Sequence, residues 1–144
     1  MIKIISCILL VFASTYSFAC KDPLYKDKYQ ITNFSGYSDV IVARIITSKH
    51  NDDEMYSPLM SFDAAVLEKI KGALTPNQVI HVSAKIEDPR AACPLYFKEN
   101  STYLLLLERQ EGELQISRFS FPIESNNEHF SSYLSQVKSG INIH

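Results

Sequence analysis

Several features that carry enzymatic or nucleic-acid-binding chemistry are missing from this 144-residue sequence. There are only four glycines, and they form no Gly-rich loop of the kind that cradles phosphates. No Gly-x-Ser-x-Gly elbow marks a nucleophilic serine. The 14 basic residues are slightly outnumbered by 16 acidic ones, which gives no support to a basic patch for a phosphate backbone. We therefore expect neither an enzyme nor a nucleic-acid-binding protein.

Metal-ligand patterns are also missing. The four histidines (His50, His81, His129 and His144) are scattered, with no two at helical ligand spacing. The acidic run from Asp52 to Glu54 lacks the ligand spacing of a calcium loop. We expect no resident metal and no other cofactor.

The longest apolar stretch lies at the N-terminus. Lys3 precedes an apolar run from Ile4 to Ala13, and Ser17-Phe18-Ala19 has the small-x-small pattern of a cleavage site. The run is shorter than the roughly 20 residues that span a bilayer. The sequence therefore predicts a signal peptide over residues 1–19, an exported (secreted or periplasmic) protein, and no transmembrane segment.

Cleavage there makes a cysteine the first residue of the mature chain. Cys7 is removed with the signal, so Cys20 and Cys93 remain, and they meet an oxidising compartment. A Cys20–Cys93 disulfide is the economical interpretation, and closing its loop of about 73 residues would contribute roughly 4 kcal/mol. Lipidation of Cys20 stays open as an alternative, although Ser17 and Phe18 are atypical of lipoprotein signals. The two fates exclude each other because both use the same sulfur.

The mature chain, residues 20–144, has the length of one domain with one core. Without Lys3 its net charge is about minus three. We expect a monomer.

Hydrophobic patterning predicts five strands and two helices. The strands are Val40–Thr47, Ser61–Ile70, Val79–Ala84, Thr102–Glu108 and Glu113–Phe121, the last being one strand or a pair. Turn residues follow the second strand (Lys71-Gly72 and Thr75-Pro76-Asn77) and the fourth (Glu111-Gly112), and a polar loop, Lys49–Pro58, follows the first. One helix is expected within Tyr25–Tyr37, with Gly36 in a left-handed conformation at its end. The other is expected after Asn127 as its cap, with Phe130, Tyr133, Leu134 and Val137 on one face, and ends before Gly140.

Two further patterns concern burial. Four consecutive leucines, Leu104 to Leu107, indicate a strand buried on both faces. The aromatic residues Tyr96, Phe97 and Tyr103 are expected to pack in the core. Five mostly sequential strands, with a short N-terminal helix and a C-terminal helix, predict a small five-stranded Greek-key barrel of the OB-fold type.

The order of these parts resembles the netrin-like, tissue-inhibitor-of-metalloproteinases family. The matching pieces cover nearly all of the mature chain: an N-terminal cysteine after the signal, Ser38-Asp39-Val40-Ile41-Val42-Ala43-Arg44, Phe62 to Lys71-Gly72, Ala91-Ala92-Cys93 and Tyr103-Leu104-Leu105. The resemblance implies a Cys20–Cys93 disulfide. It also implies that the α-amine and carbonyl oxygen of Cys20 chelate the zinc of a metalloprotease, with Cys20, Lys21, Asp22, Ala91, Ala92 and Pro94 facing this partner.

The chain departs from the family pattern next to that terminus. Asp22 stands where the family's inhibitors have a second cysteine, and Lys21 stands where they have a small residue such as Ser or Thr. The additional disulfides of the animal inhibitors are absent. A second hypothesis therefore stays open: a non-inhibitory secreted or cell-envelope module, lipid-anchored if Cys20 is acylated, that binds through the barrel surface.

Overall fold

The computed structural model describes residues 34–50, 59–85, 95–117, 120 and 122–141. They form six strands and one helix: β1 Asp39–His50, β2 Leu59–Lys71, β3 Val79–Ala84, β4 Thr102–Gln110, β5 Glu113–Ile116, β6 Ile123–Glu124 and α1 Phe130–Ile141. The first five strands overlap the five predicted strand regions, and β3 has the predicted bounds. The fifth is shorter than predicted, because it ends at Ile116 and residues 123–124 form a separate strand.

The first five strands close into a barrel. Neighbours hydrogen-bond in the order β1–β2–β3–β5–β4, and β4 pairs back with β1. The β3–β5 pairing is parallel and the other pairings are antiparallel. Strand β6 adds two residues to β4. This closed five-stranded barrel followed by a C-terminal helix confirms the prediction of a small OB-fold-like barrel.

Strand β4 is buried on both faces over its leucines, as their run predicts, and so is the first half of its neighbour β1. Leu104 to Leu107 are all fully buried. Leu105 and Leu107 belong to the cluster that fills the barrel, whereas Leu104 and Leu106 belong to a second cluster on the outer surface, beneath α1. The helix therefore covers the β1–β4 face of the barrel.

Helix α1 packs through the predicted face. Tyr133 and Val137 are buried in the outer cluster. At its start, the Asn127 side-chain oxygen accepts a hydrogen bond from the backbone N–H of His129 at 3.0 Å. The helix continues to Ile141, past its predicted end, because Gly140 serves close packing and not helix termination: a Cβ there would lie 2.5 Å from the Phe34 ring.

The predicted N-terminal helix lies outside the described residues up to position 33. Its last four residues, Phe34 to Tyr37, form a turn in which the Tyr37 N–H donates to the Phe34 carbonyl oxygen at 3.3 Å. Gly36 does not adopt a positive φ, so its predicted left-handed conformation was wrong. The Lys71 ammonium holds this turn, since it donates to the carbonyl oxygens of Phe34 and Tyr37 at 2.7 Å each.

The barrel has two ends of different construction. At one, which we call the turn end, lie Asp39, the 72–78 turn between β2 and β3, and the Glu111-Gly112 turn between β4 and β5. At the other, which we call the loop end, lie His50, Leu59, Lys85 and Leu95, where segments 51–58 and 86–94 begin and end.

Candidate functional site

The residues predicted to contact a partner lie outside the described residues. This holds for Cys20, Lys21 and Asp22, and for the stretch Ala91 to Pro94 that contains Cys93. The acidic run from Asp52 to Glu54 also lies outside them. The Cys20–Cys93 disulfide, the chelating terminus and the signal peptide therefore stay predictions.

The described residues on either side of segments 51–58 and 86–94 show where these two segments leave the barrel. His50 at the end of β1 pairs with Leu59 at the start of β2. Ser83, near the end of β3, pairs with Ser61, near the start of β2. Segments 51–58 and 86–94 thus emerge at the same end of the barrel.

An aromatic contact joins the two flanks. The Tyr96 ring stacks on the His50 ring with centroids 5.7 Å apart and an interplanar angle of 29°. Tyr96 is 69% exposed, so its predicted burial in the core is wrong. The reason is alternation along an extended segment: Phe97 points inward and is 1% exposed, which directs its neighbour outward.

Phe97 fixes this segment to the barrel. Its ring contacts Phe62 at 4.8 Å and Tyr103 at 4.9 Å between centroids, and the predicted burial of Phe97 and Tyr103 is confirmed. The Tyr103 hydroxyl accepts a hydrogen bond from the Lys98 N–H at 3.1 Å. Burial raises the pKa of Tyr103, although this hydrogen bond acts in the opposite direction.

The next residues are tied to β1. The Asn100 N–H donates to the Ile45 carbonyl oxygen, and the Ile45 N–H donates to the Ser101 carbonyl oxygen, each at 2.9 Å. The Glu99 carboxylate accepts from the Ser48 N–H at 3.1 Å. The exposed Tyr96 therefore lies on a well-anchored segment. This segment directly follows residue 94, the last residue of the undescribed stretch.

The turn end is organised by one buried carboxylate. Asp39 is 1% exposed, and its oxygens accept hydrogen bonds from the Ala73 N–H at 2.9 Å, the Leu74 N–H at 3.3 Å, the Ser38 hydroxyl at 2.8 Å and the Arg109 guanidinium at 3.2 Å. Burial alone raises the pKa of Asp39, but these donors outweigh it and hold the pKa below the usual value.

Gly72 completes this arrangement. Its φ is +103°, and a Cβ there would lie 2.6 Å from the Ser38 carbonyl oxygen and also meet the Asp39 carboxylate. Two of the pieces that carry the family resemblance, Ser38-Asp39 and Lys71-Gly72, are thus adjacent in space. Both close the turn end, which assigns them a structural role.

A polar cluster lies on the outer face of β1, β2 and β3. Asp63 accepts a hydrogen bond from the Thr47 hydroxyl at 3.0 Å, and its other oxygen lies 2.7 Å from His81 Nδ1. The hydrogen bond from His81 is the main cause that lowers the pKa of Asp63. The hydroxyl binds the carboxylate and not the imidazole, so the cluster lacks the connectivity of a nucleophilic triad.

The described residues contain no group of three or more His, Cys, Asp or Glu side chains that could hold a metal ion. Among them, no helix has the length and apolar character needed to cross a membrane.

No protein-family model matches the chain, and no curated protein matches it significantly.

Sequence reasoning missed the His50–Tyr96 and Asp63–His81 contacts. Strand alternation already places Asp63 and His81 on outward-facing positions. What was missing is the β2–β3 register, which pairs these two residues directly.

Proposed function

We propose that this protein is an exported binding domain that engages a protein partner through the loop end of the barrel. The contact surface comprises the mature terminus, Cys20 to Asp22, and the stretch Ala91 to Pro94. The observation that supports this choice is the anchored segment after Pro94, in which Tyr96 is exposed and stacks on His50. Exposed aromatic residues on a rigid support are typical anchors of protein interfaces.

The proposed partner is a zinc metalloprotease. An α-amine has a pKa near 8, so it loses its proton readily beside a metal, and the amine nitrogen and carbonyl oxygen of Cys20 can form a five-membered chelate ring with zinc. A disulfide to Cys93 would hold that terminus beside the anchored segment and lower the ordering cost of binding. Lys21 and Asp22 would then face the protease cleft.

The export signal and the absence of catalytic motifs are consistent with this proposal. A signal peptide over residues 1–19 delivers the chain to an oxidising compartment where the disulfide forms. In this function the protein contributes binding, and no catalytic step of its own.

The test compares two mature proteins that differ by one residue. One begins at Cys20 and the other carries an additional Ala before Cys20, which converts the α-amine into an amide and displaces the terminus. Each is assayed against a panel of zinc metalloproteases, after mass spectrometry has established the state of Cys20. We expect inhibition by the first form and at least about a hundredfold weaker inhibition by the second, since an amide nitrogen is a poor zinc ligand. Equal inhibition by both forms would refute the chelation mechanism.

A second candidate function is supported by apolar side chains that are exposed, among the described residues, on β2 and β3. Helix α1 covers the β1–β4 face, whereas Met60, Leu67 and Val79 are exposed on β2 and β3. In this alternative, a non-inhibitory secreted or envelope module binds its partner through the barrel surface, and it is lipid-anchored if Cys20 is acylated. Binding would then be indifferent to the N-terminal Ala and would be weakened by Asp63→Ala. An acyl mass on Cys20 would favour this alternative.

A further inference from the structure

Within the part of the chain that the structure describes, the first half of strand β3 has a strand on only one side. Its pairing with β2 extends over Val79 to Ser83, but its pairing with β5 begins at Val82. The β4–β5 hairpin turns at Glu111-Gly112, where both residues have positive φ (52° and 91°) and form a type I′ turn. Strand β5 therefore starts too late to cover the beginning of β3.

Among the described residues, the unpaired main-chain N–H and C=O groups at the start of β3 point away from β2. The Val66 N–H donates to the Gln78 carbonyl oxygen, so position 78, and with it Ile80 and Val82, hydrogen-bonds toward β2. In an antiparallel ladder the residues in between point their N–H and C=O groups the other way. Val79 therefore presents both of its main-chain groups, and His81 its N–H, to the side where the hairpin diverges.

A groove of about 560 Å³ lies on that side. Its buried apolar lining comes from Leu74, Ile80 and Leu114. The β3 wall carries Val79 and His81, each of which is an exposed side chain, and the hairpin wall carries Arg109 and Glu113. The volume is in the range of ligand-binding pockets, about 300–1,000 Å³.

Arg109 supplies positioned hydrogen-bond donors, and its charge is already paired with the Asp39 carboxylate. One of its nitrogens, Nη2, donates to Asp39 at 3.2 Å, and Nη1 donates to the Gly112 carbonyl oxygen at 3.3 Å. The side chain remains 38% exposed, and a guanidinium has five N–H donors. Some guanidinium N–H groups of Arg109 are therefore left to donate to a ligand. Glu113, on the same wall of the groove, carries a negative charge.

From these features we infer that the groove binds a short extended peptide that ends in a free carboxylate. Main-chain donors and acceptors at strand spacing are complementary to another extended main chain. The apolar lining accepts the side chain of the last residue, and Arg109 pairs with the carboxylate. This site lies at the turn end of the barrel, and its test does not depend on the proposed function.

The experiment uses the mature chain, residues 20–144, labelled with ¹⁵N. It is titrated with the peptide acetyl-Ser-Gly-Val-Leu as the free acid, with its C-terminal amide, and with a form N-methylated at its valine. We expect the free acid to shift the amide resonances of Val79, His81 and Leu114. The C-terminal amide should bind at least about tenfold more weakly because it loses the charge-assisted contact. The N-methylated form should also bind more weakly because it lacks a main-chain donor.

Two variants of one residue provide the matched comparison. Val79→Pro removes the N–H that faces the groove and keeps the ladder to β2, and proline is tolerated at the first residue of a strand. Val79→Ala keeps this N–H. We expect about fivefold weaker binding by V79P, which corresponds to the loss of one neutral hydrogen bond, and a change within about twofold for V79A.

Three outcomes would overturn the inference. The first is no shift of these resonances at about 5 mM peptide, which exceeds a millimolar Kd. The second is equal affinity for the free acid and the amide. The third is a concentration-dependent shift of the same resonances without peptide, which would show that a second copy of the chain occupies the groove. The peptide controls hold even if V79P fails to fold.

Discussion

The two ends of the barrel differ in what their polar and aromatic side chains do. At the turn end, Asp39 is buried and its hydrogen bonds join β1, the β2–β3 turn and the β4–β5 hairpin. At the loop end, Tyr96 is exposed and stacks on His50, beside the points where segments 51–58 and 86–94 leave the described structure. The motif residues Asp39 and Gly72 at the turn end therefore maintain the fold, whereas the loop end presents an exposed aromatic side chain on an anchored segment.

Replacing two neighbouring aromatic residues at the loop end should change the free energy of unfolding by very different amounts. Phe97→Ala removes a buried ring between Phe62 and Tyr103, and we expect a loss of about 3–5 kcal/mol in the free energy of unfolding. Tyr96→Ala removes an exposed ring and should cost less than about 0.5 kcal/mol. Urea denaturation measures both. A large loss for Tyr96→Ala would mean that this tyrosine supports the fold, and the distinction between the ends would fail.

Removal of the buried carboxylate should be the most damaging change at the turn end. Asp39→Ala leaves the N–H groups of Ala73 and Leu74 and the Arg109 guanidinium without their acceptor. We expect a loss of about 3 kcal/mol, because these donors lose the acceptor of a buried hydrogen-bond network. The matched control is Asp63→Ala, which removes an exposed carboxylate with two partners and should cost less than about 1 kcal/mol. Similar losses for the two variants would contradict the role given to Asp39.

A glycine substitution tests the same end through the backbone. Gly72→Ala places a Cβ against Ser38 and Asp39 at a φ of +103°, and should cost about 2 kcal/mol. Gly36→Ala is the control, because no atom lies within 4 Å of the added Cβ and its φ is not positive. The melting temperature should therefore fall clearly more in Gly72→Ala than in Gly36→Ala. Equal melting temperatures of the two variants would refute the close approach at Gly72.

The pH dependence of stability should reflect Asp39. Its pKa is lower in the folded protein than the ordinary value of 3.8, so the carboxylate's contribution is fully present above that value and is lost as the pH falls through the lower, folded pKa. Urea midpoints should decline below about pH 4. Asp39→Asn should flatten this decline more than Asp63→Asn does, since the pKa of Asp63 is also lowered but this residue lies at the surface. An unchanged acid profile in Asp39→Asn would show that other carboxylates control it.

Much of the fold could be predicted because its signals are local. The strand bounds of β3 coincide with the prediction, and the Glu111-Gly112 turn was recognisable from a glycine between two apolar runs. The predictions were wrong where contacts between residues far apart in the sequence determine the local structure. Tyr96 is exposed because Phe97 is anchored by rings from β2 and β4, and Gly140 stays within the helix because it packs against Phe34.

The candidate site was less accessible to prediction. The resemblance selected Cys20 to Asp22 and Ala91 to Pro94, which lie outside the described residues, while His50, Tyr96 and the β3 groove were not singled out together. Their proximity depends on which strands are neighbours in the closed barrel, and the types of the residues do not predict this strand order.

By itself, the sequence determined the strand regions, the C-terminal helix, the double-sided burial of Leu104 to Leu107 and the small Greek-key class of the barrel, because side-chain periodicity and turn chemistry act over a few residues. Only the tertiary structure decided that Asp39 meets the 72–78 turn and Arg109, that Asp63 meets His81, and that β5 leaves the start of β3 uncovered. These depend on strand register and barrel closure, which are set by packing among residues far apart in the chain.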